Sequence, residues 1–291
     1  MRYNDANTYF KNRFGHKMYK AAVSLDVTCP NRDGSKGTGG CAFCSAGGSG
    51  EFAADKRRSV TDQIDEAVAR LAAKVTKDTG YIAYFQSFTG TYCDPSYLRA
   101  SLEEAAAHPK VEALAIGTRP DCLPQDILYV LKDTASKIPL FVELGLQTAD
   151  DKIAESFGRG YETEEYIKAV KDLHDIGAEV ITHVIFGLPG ESREGMLRSV
   201  RMAVDADTDG IKFTCLYILK GTRYEKEWEE GRIEVLSMEE YLDIVEQALK
   251  TIPPDVVVHR LTGDGPKRLL LAPMWTANKR NVINYINKRF S

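Results

Sequence analysis

A chain of 291 residues that is 43% hydrophobic can bury a substantial core, which suits one large α/β domain with an appendage. Its formal net charge of −4 gives no global attraction to nucleic acid, no apolar run approaches the ~20 residues that span a bilayer, and nothing resembles a signal peptide. Six cysteines, three of them clustered with metal spacing, point to a reducing cytoplasm and away from a disulfide scaffold.

In chain order, the first twenty residues form a basic arm, with Arg2, Lys11, Arg13, Lys17 and Lys20 against Asp5 alone. Apolar strands then alternate with helical patterns, the mark of a parallel α/β sheet. Strands are expected near 21–27, 81–85, 111–117, 140–146, 179–186 and 210–217. Helices fall between them near 59–77, 95–108, 124–136, 162–176 and 192–206. Six such units without an obvious seventh and eighth predict a partial (β/α)6 barrel. The rhythm then changes to charged helices near 223–230 and 238–249, a short strand near 256–259 and a basic helix near 275–288. The expected organisation is an N-terminal arm over 1–20, a barrel over 21–218 and a C-terminal α/β elaboration over 219–291 packed on it. From Pro266 onward lie Lys267, Arg268, Lys279, Arg280, Lys288 and Arg289 with no acidic residue. The two basic ends form either one anion-binding patch, if the termini meet, or ordinary solvated helix faces.

The chemistry concentrates after the first strand, in CPNRDGSKGTGGCAFCSAGGSG. Cys41 and Cys44 need only one tight turn to aim two thiolates at one metal. Cys29 adds a third from across eleven intervening residues. Three thiolates leave a position open for substrate or cofactor, and such a soft set suits an iron–sulfur cluster or zinc. Phe43, between the paired cysteines, is placed to shield a cluster from water.

This stretch resembles the radical S-adenosylmethionine (SAM) superfamily, with a longer first gap than its usual Cys-x3-Cys-x2-Cys. The catalytic subunit of Elongator and the YhcC/YtqA family widen the same gap, and the run from Thr28 to Gly34 with Gly39-Gly40-Cys41 is similar to the latter. The resemblance covers most of the chain. It implies that Cys29, Cys41 and Cys44 hold three irons of a [4Fe–4S] cluster, and that SAM chelates the fourth. One-electron cleavage of SAM would then give a 5′-deoxyadenosyl radical.

In a βα barrel the functional residues gather where strands end. After the second strand, Gln86, Ser87 and Thr89 are candidates for the SAM amino group, although the family's Gly-Gly-Glu is absent. Gly117 stands where Elongator carries a Glu. Arg119 at that strand end suits the SAM carboxylate or an anionic substrate, or else pairs with Glu143 inside the barrel. The resemblance implies SAM contacts for Glu143, Gln147 and Arg159. The fifth strand leads through His183 into Gly187-Leu188-Pro189-Gly190, a turn that in this superfamily flanks adenine and ribose. His183 is then either a ribose contact or a satisfied core histidine.

Lys220 is a candidate for a phosphate or a substrate carboxylate, or is simply solvated. Cys93 or Tyr92 is a candidate hydrogen-atom donor; Cys93, Cys122 and Cys215 otherwise read as buried thiols. His259, Arg260 and Asp264 sit in a glycine-rich turn placed to cover the barrel mouth. The resemblance points to tRNA, with conversion of 5-carboxymethylaminomethyl-(2-thio)uridine to its 5-aminomethyl form. It also implies a flavodoxin- or ferredoxin-type electron donor. That substrate needs a cation for its glycine-like carboxylate, from Arg119, Lys220 or Arg260. Two alternatives stay open. One is a radical SAM enzyme for a small metabolite or peptide. The other is a zinc-binding protein using the cysteines and His16.

Overall fold

The computed structural model describes residues 3–48, 50, 54–75, 78–263 and 265–290. Arg2 and Asp264, named above, and the last two residues of the helix expected over 59–77 lie outside them. Seven parallel strands form one curled sheet in the order β1 (Met18–Val23), β2 (Gly80–Phe85), β3 (Val111–Thr118), β4 (Leu140–Gln147), β5 (Glu179–Phe186), β6 (Gly210–Cys215) and β8 (Val257–Arg260). The six expected strands are all present. A seventh, β8, pairs in parallel with β6, so a segment assigned to the elaboration extends the barrel. The reason is visible in the register: Ile211 lies beside Val258 and Lys212 beside Arg260, which continues both the apolar outer face and the polar inner one.

Helices cover the outer face. α2 (Val60–Leu71), α3 (Pro95–Ala106), α4 (Gln125–Ala135), α5 (Asp151–Phe157), α6 (Thr163–Asp175) and α7 (Arg193–Asp205) connect the first six strands. Their starts follow local chemistry, since Ser59, Asp94, Asp150 and Ser192 each accept hydrogen bonds from first-turn backbone N–H groups. Val60, Ile64, Ala67 and Val68 of α2 recur at helical spacing and are buried against the sheet.

On the strands, alternate residues divide between two cores. Leu114, Ile116, Val142, Leu144, Val180 and Val184 face the helices, while Ile82, Tyr84, Ala113, Ala115, Phe141 and Ile181 fill the barrel. The basic arm is not a free arm. It contains helix α1 (Ala6–Phe14), whose Phe10 plugs the lower end of the barrel edge-on to Phe141, with centroids 5.7 Å apart. Arg13 pairs with Glu179 and lies 5.3 Å over the Phe141 ring. Val258 donates its N–H to Asn4 O at 2.7 Å, joining this plug to β8.

Beyond the barrel, β7 (Ile218–Leu219) pairs antiparallel with β9 (Leu270–Ala272). Helices α8 (Arg223–Glu229), α9 (Met238–Leu249) and α10 (Lys279–Phe290) complete the chain. α9 opens with a capping box between Ser237 and Glu240. The basic tail is less free than its charge suggests, because Arg289 pairs with Glu239, Asp243 and Glu246 of α9. Trp275 donates its indole N–H to Leu236 O at 3.0 Å and packs 5.5 Å from Tyr241. Among the described residues, no helix is long and apolar enough to cross a membrane.

Candidate active site

The eleven residues between Cys29 and Cys41 fold on themselves. Arg32 N bonds Cys29 O at 2.8 Å, Lys36 N bonds Pro30 O at 2.9 Å and Gly34 N bonds Gly37 O at 3.0 Å. Gly40 has φ 86°, and a Cβ there would lie 2.8 Å from the Arg32 guanidinium, so glycine lets that side chain pass over the loop. Cys44 N bonds Cys41 O at 2.8 Å, which closes the expected tight turn. Ala42 N bonds Phe157 O at 2.9 Å, and Phe43 packs 5.2 Å from the Phe157 ring, anchoring the turn to α5.

Each of the three sulfurs receives an N–H from a different side chain. Asn31 Nδ2 lies 3.2 Å from Cys41 Sγ, Arg32 Nη2 lies 3.2 Å from Cys44 Sγ, and Arg119 Nη1 lies 3.8 Å from Cys29 Sγ. Burial, and next the neighbouring Cys44, push the Cys41 thiol up to about 11. Three thiolates gathered there therefore need positive charge to hold them, beyond what these N–H groups supply. All three cysteines line one cavity of about 320 Å³ at the C-terminal ends of the strands. Among the described residues, no three His, Cys, Asp or Glu side chains gather around a single ion. A cluster that takes one cysteine per iron asks only for thiolates spread around a shared mouth, and that is the arrangement present. His16, the further ligand in the zinc reading, bonds Glu112 at 2.9 Å beside the start of β2, at the other end of the barrel.

The same cavity collects Gln86, Thr89, Arg119, Glu143, Gln147, Arg159, His183 and Arg260. Their partners decide what each can do. Gln147 is held at φ 60°, a conformation non-glycine residues rarely adopt, and its Oε1 accepts from Tyr161 OH at 3.0 Å. Gly145 makes room for it, since a Cβ there would lie 2.3 Å from Gln147 Nε2. Arg159 is 1% exposed, and its N–H groups go to Tyr161 O, Leu146 O, Thr148 O, Asp151 and Thr163. Arg159 thus ties down the turn that presents Gln147. Arg119 is likewise engaged, by both oxygens of Asp121 at 2.8 and 2.7 Å, and not by Glu143. Lys36 bonds the same Asp121 at 2.8 Å. Arg119 is thus fixed beside Cys29 and has little left for a substrate anion.

Glu143 is buried on β4 and binds Lys20 of β1, Tyr84 of β2, His183 of β5 and Lys212 of β6. Burial opposes its charge, yet Lys20, Lys212 and His183 hold it well below the usual carboxylate range. Burial pushes His183 down to about 4, so the ring is neutral and donates Nε2–H to Glu143 at 2.8 Å. Both expectations for His183 have a basis here, for it faces the cavity and is also satisfied. Glu143 is the keystone of a charged layer at the floor of the cavity.

Six expected residues do not line this cavity. Ser87 Oγ is buried against Ser24 Oγ at 2.5 Å. Gly187, at φ 91°, has Leu236 beside it, and Leu188 packs in the core with Ala42 and Phe157, so this turn supports the cysteine loop from below. Lys220 is exposed beyond β7. Tyr92 and Cys93 line a separate cavity of about 610 Å³ with Asp121, Asp126 and Glu165. Residues that the sequence reading missed are Asn31, Arg32, Lys20, Tyr84 and Lys212. The lysines left a signal: Lys212 stands between Ile211 and Phe213 in an apolar strand, where a charge needs a buried partner.

Comparison with known proteins agrees with this geometry. Residues 31–203 match the Radical SAM superfamily and residues 208–291 the Radical_SAM C-terminal domain. The chain is 42% identical to the uncharacterized protein YtqA of Bacillus subtilis over 287 residues, covering 99% of this chain and 89% of YtqA. It is 31% identical over 199 residues to a tRNA uridine(34) acetyltransferase of Methanocaldococcus jannaschii, covering 65% of this chain and 36% of that protein. In fold it is similar to the archaeal Elp3 of Methanocaldococcus infernus, with a TM-score of 0.69 at 19% identity, over 94% of this chain and 63% of that one. A family that implies a [4Fe–4S] cluster and SAM thus coincides with three cysteines around one strand-end cavity, and the chain belongs to the radical SAM superfamily of enzymes.

Proposed function

We propose that this radical SAM enzyme acts on the wobble uridine of tRNA, converting 5-carboxymethylaminomethyl-(2-thio)uridine to 5-aminomethyl-(2-thio)uridine. The observation that carries the reading is its similarity to an enzyme named for tRNA uridine(34), joined to an intact three-cysteine cavity. Cys29, Cys41 and Cys44 would hold the cluster, and Gln86, Thr89 and Gln147 offer polar groups for SAM. When bound, cluster and SAM would supply a 5′-deoxyadenosyl radical able to take a hydrogen atom from the glycine-like CH2 of the substrate. The substrate then gives up one electron and water hydrolyses its imine, releasing the aminomethyl nucleoside and a two-carbon aldehyde acid. That electron balances the one a flavodoxin- or ferredoxin-type donor puts in.

The protein's own part is positioning and exclusion of water. Phe43 and Phe157 close one side of the cluster loop. Tyr161 fixes Gln147, and Asn31, Arg32 and Arg119 orient the sulfurs. Mass spectrometry of tRNA nucleosides from a strain lacking this gene should show the carboxymethylaminomethyl form accumulating and the aminomethyl form missing. An unchanged nucleoside profile removes this substrate.

A small-metabolite substrate is favoured by one observation, the neutralisation of Arg13 and Arg289 by neighbouring carboxylates. Salt separates the two readings. Binding to tRNA weakens steeply as salt rises, because each phosphate contact releases counterions, whereas binding of a small metabolite changes little.

A further inference from the structure

The floor of the cysteine-lined cavity gathers three basic side chains and one carboxylate. Glu143 already binds Lys20, Tyr84, His183 and Lys212, and four partners fill the lone pairs of its two oxygens. Two lysines share this one carboxylate. Arg260, at the end of β8, is a third cation beside them. Its Nη2 donates to Thr214 Oγ1, and its Nε is buried without a partner. Among the described residues, no Asp or Glu pairs with it. Unlike the two lysines, Arg260 lines the cavity, together with Glu143, His183 and Thr214.

A guanidinium N–H without an acceptor is costly to bury, and the cost falls when a ligand supplies the acceptor. Behind Arg260 lie Lys20 and Lys212, which share Glu143. One anion entering beside Arg260 would give this guanidinium the acidic partner that it lacks among the described residues. The planar fork of Arg matches a carboxylate, with two parallel hydrogen bonds. Of the three cations expected from the sequence to meet such a group, Arg119 is taken by Asp121 and Lys220 is exposed outside the cavity.

We propose that Arg260, backed by Lys20 and Lys212, is a subsite that takes a carboxylate of the substrate. This rests on the reading that the substrate enters the cysteine-lined cavity, and it assigns the glycine-like carboxylate to a particular side chain. The test uses the iron-loaded full-length enzyme and two pairs of probes, with binding as the readout. One pair is N-methylglycine and its neutral amide. The other is an anticodon stem-loop carrying 5-carboxymethylaminomethyluridine and the same RNA with the carboxylate converted to an amide. The wild type should bind each carboxylate at least about tenfold tighter than its amide, the range of a charge-assisted hydrogen bond. Arg260→Gln should abolish the preference and Arg260→Lys should keep part of it, with SAM affinity unchanged in both. Equal binding of carboxylate and amide by the wild type overturns the proposal, as does a preference that survives in Arg260→Gln. Loss of SAM affinity in Arg260→Gln assigns the anion to the cofactor and also overturns it. If neither RNA binds but N-methylglycine still binds through Arg260, the tRNA reading falls and the carboxylate subsite stands.

Discussion

The two ends of this barrel are made by the same strands and carry opposite chemistry. At the lower end the inward residues are Ile82, Ala113, Phe141 and Ile181, and α1 seals them with Phe10. At the upper end the inward residues become Gly117, Gln147, His183 and Thr214, and the cysteine loop faces an open cavity. Between the two lies the layer of Lys20, Glu143 and Lys212. The difference teaches that moving two to six residues along one strand changes the task from holding the sheet together to meeting a ligand. Variants at the two ends should therefore have separable effects.

The largest effect is expected at the upper end. Replacing Cys29, Cys41 and Cys44 together by Ala should abolish iron binding, as read by iron content and visible absorption after anaerobic reconstitution. Replacing Cys93, Cys122 and Cys215 should leave iron content unchanged, since Cys93 and Cys122 line the separate cavity and Cys215, which borders the cysteine-lined one, is a buried thiol at the end of β6. Loss of iron in the second variant would mean that the ligands are misassigned.

The middle layer should dominate stability. Glu143→Ala removes the carboxylate shared by the half-buried Lys20 and the buried Lys212 and should cost about 4 kcal/mol in urea unfolding. Glu143→Gln, which keeps an acceptor, should cost less. A negligible cost for the alanine variant would show that water, not Glu143, satisfies the lysines.

At the lower end, Phe10→Ala should cost about 3 kcal/mol through the cavity it leaves against Phe141. Iron content and SAM affinity should stay as in the wild type. A parallel loss of iron would show that the two ends are coupled, and the comparison would fail.

The smallest effect concerns Glu191, just before α7. Burial pushes it up to about 7, against hydrogen bonds from Thr148 and Ser199. Its contribution to stability is therefore complete below about pH 4.5 and is lost as pH rises through 7. Glu191→Gln should match the wild type near pH 4 and exceed it by about 1–2 kcal/mol at pH 8. Identical pH profiles for the two proteins would show that the carboxyl is solvated.

Much of this molecule was legible because its signals are local. The alternation of apolar strands and amphipathic helices located all six leading strands within a few residues, and Cys29, Cys41 and Cys44 announced their shared site. What stayed hidden depends on pairing across the barrel. That Val257–Arg260 joins β6 is a matter of tertiary partners, because so short a strand carries no mark of its neighbour. Arg159 keeps the spacing expected of a ligand, yet its donors turn inward to carbonyls that only the folded loop brings near. Lys20, Glu143 and Lys212 lie far apart in sequence and meet only because three strands place them on one inward level. The basic ends misled for the complementary reason. Charge is visible residue by residue, whereas the carboxylates that neutralise Arg13 and Arg289 come from other elements.

The hydrogen bond between Val258 and Asn4 has a consequence for how the protein is made. The lower seal needs α1, near the beginning of the chain, and β8, close to its end, so the ribosome must deliver nearly everything before Phe10 can be enclosed. Contacts with such wide sequence separation form late, and until then the inner faces of the strands remain open to unwanted association. The cysteine loop draws its own anchors from Phe157 and Gly158, which emerge far earlier. During synthesis, then, the metal-binding mouth has its parts in hand before the opposite end of the barrel can close.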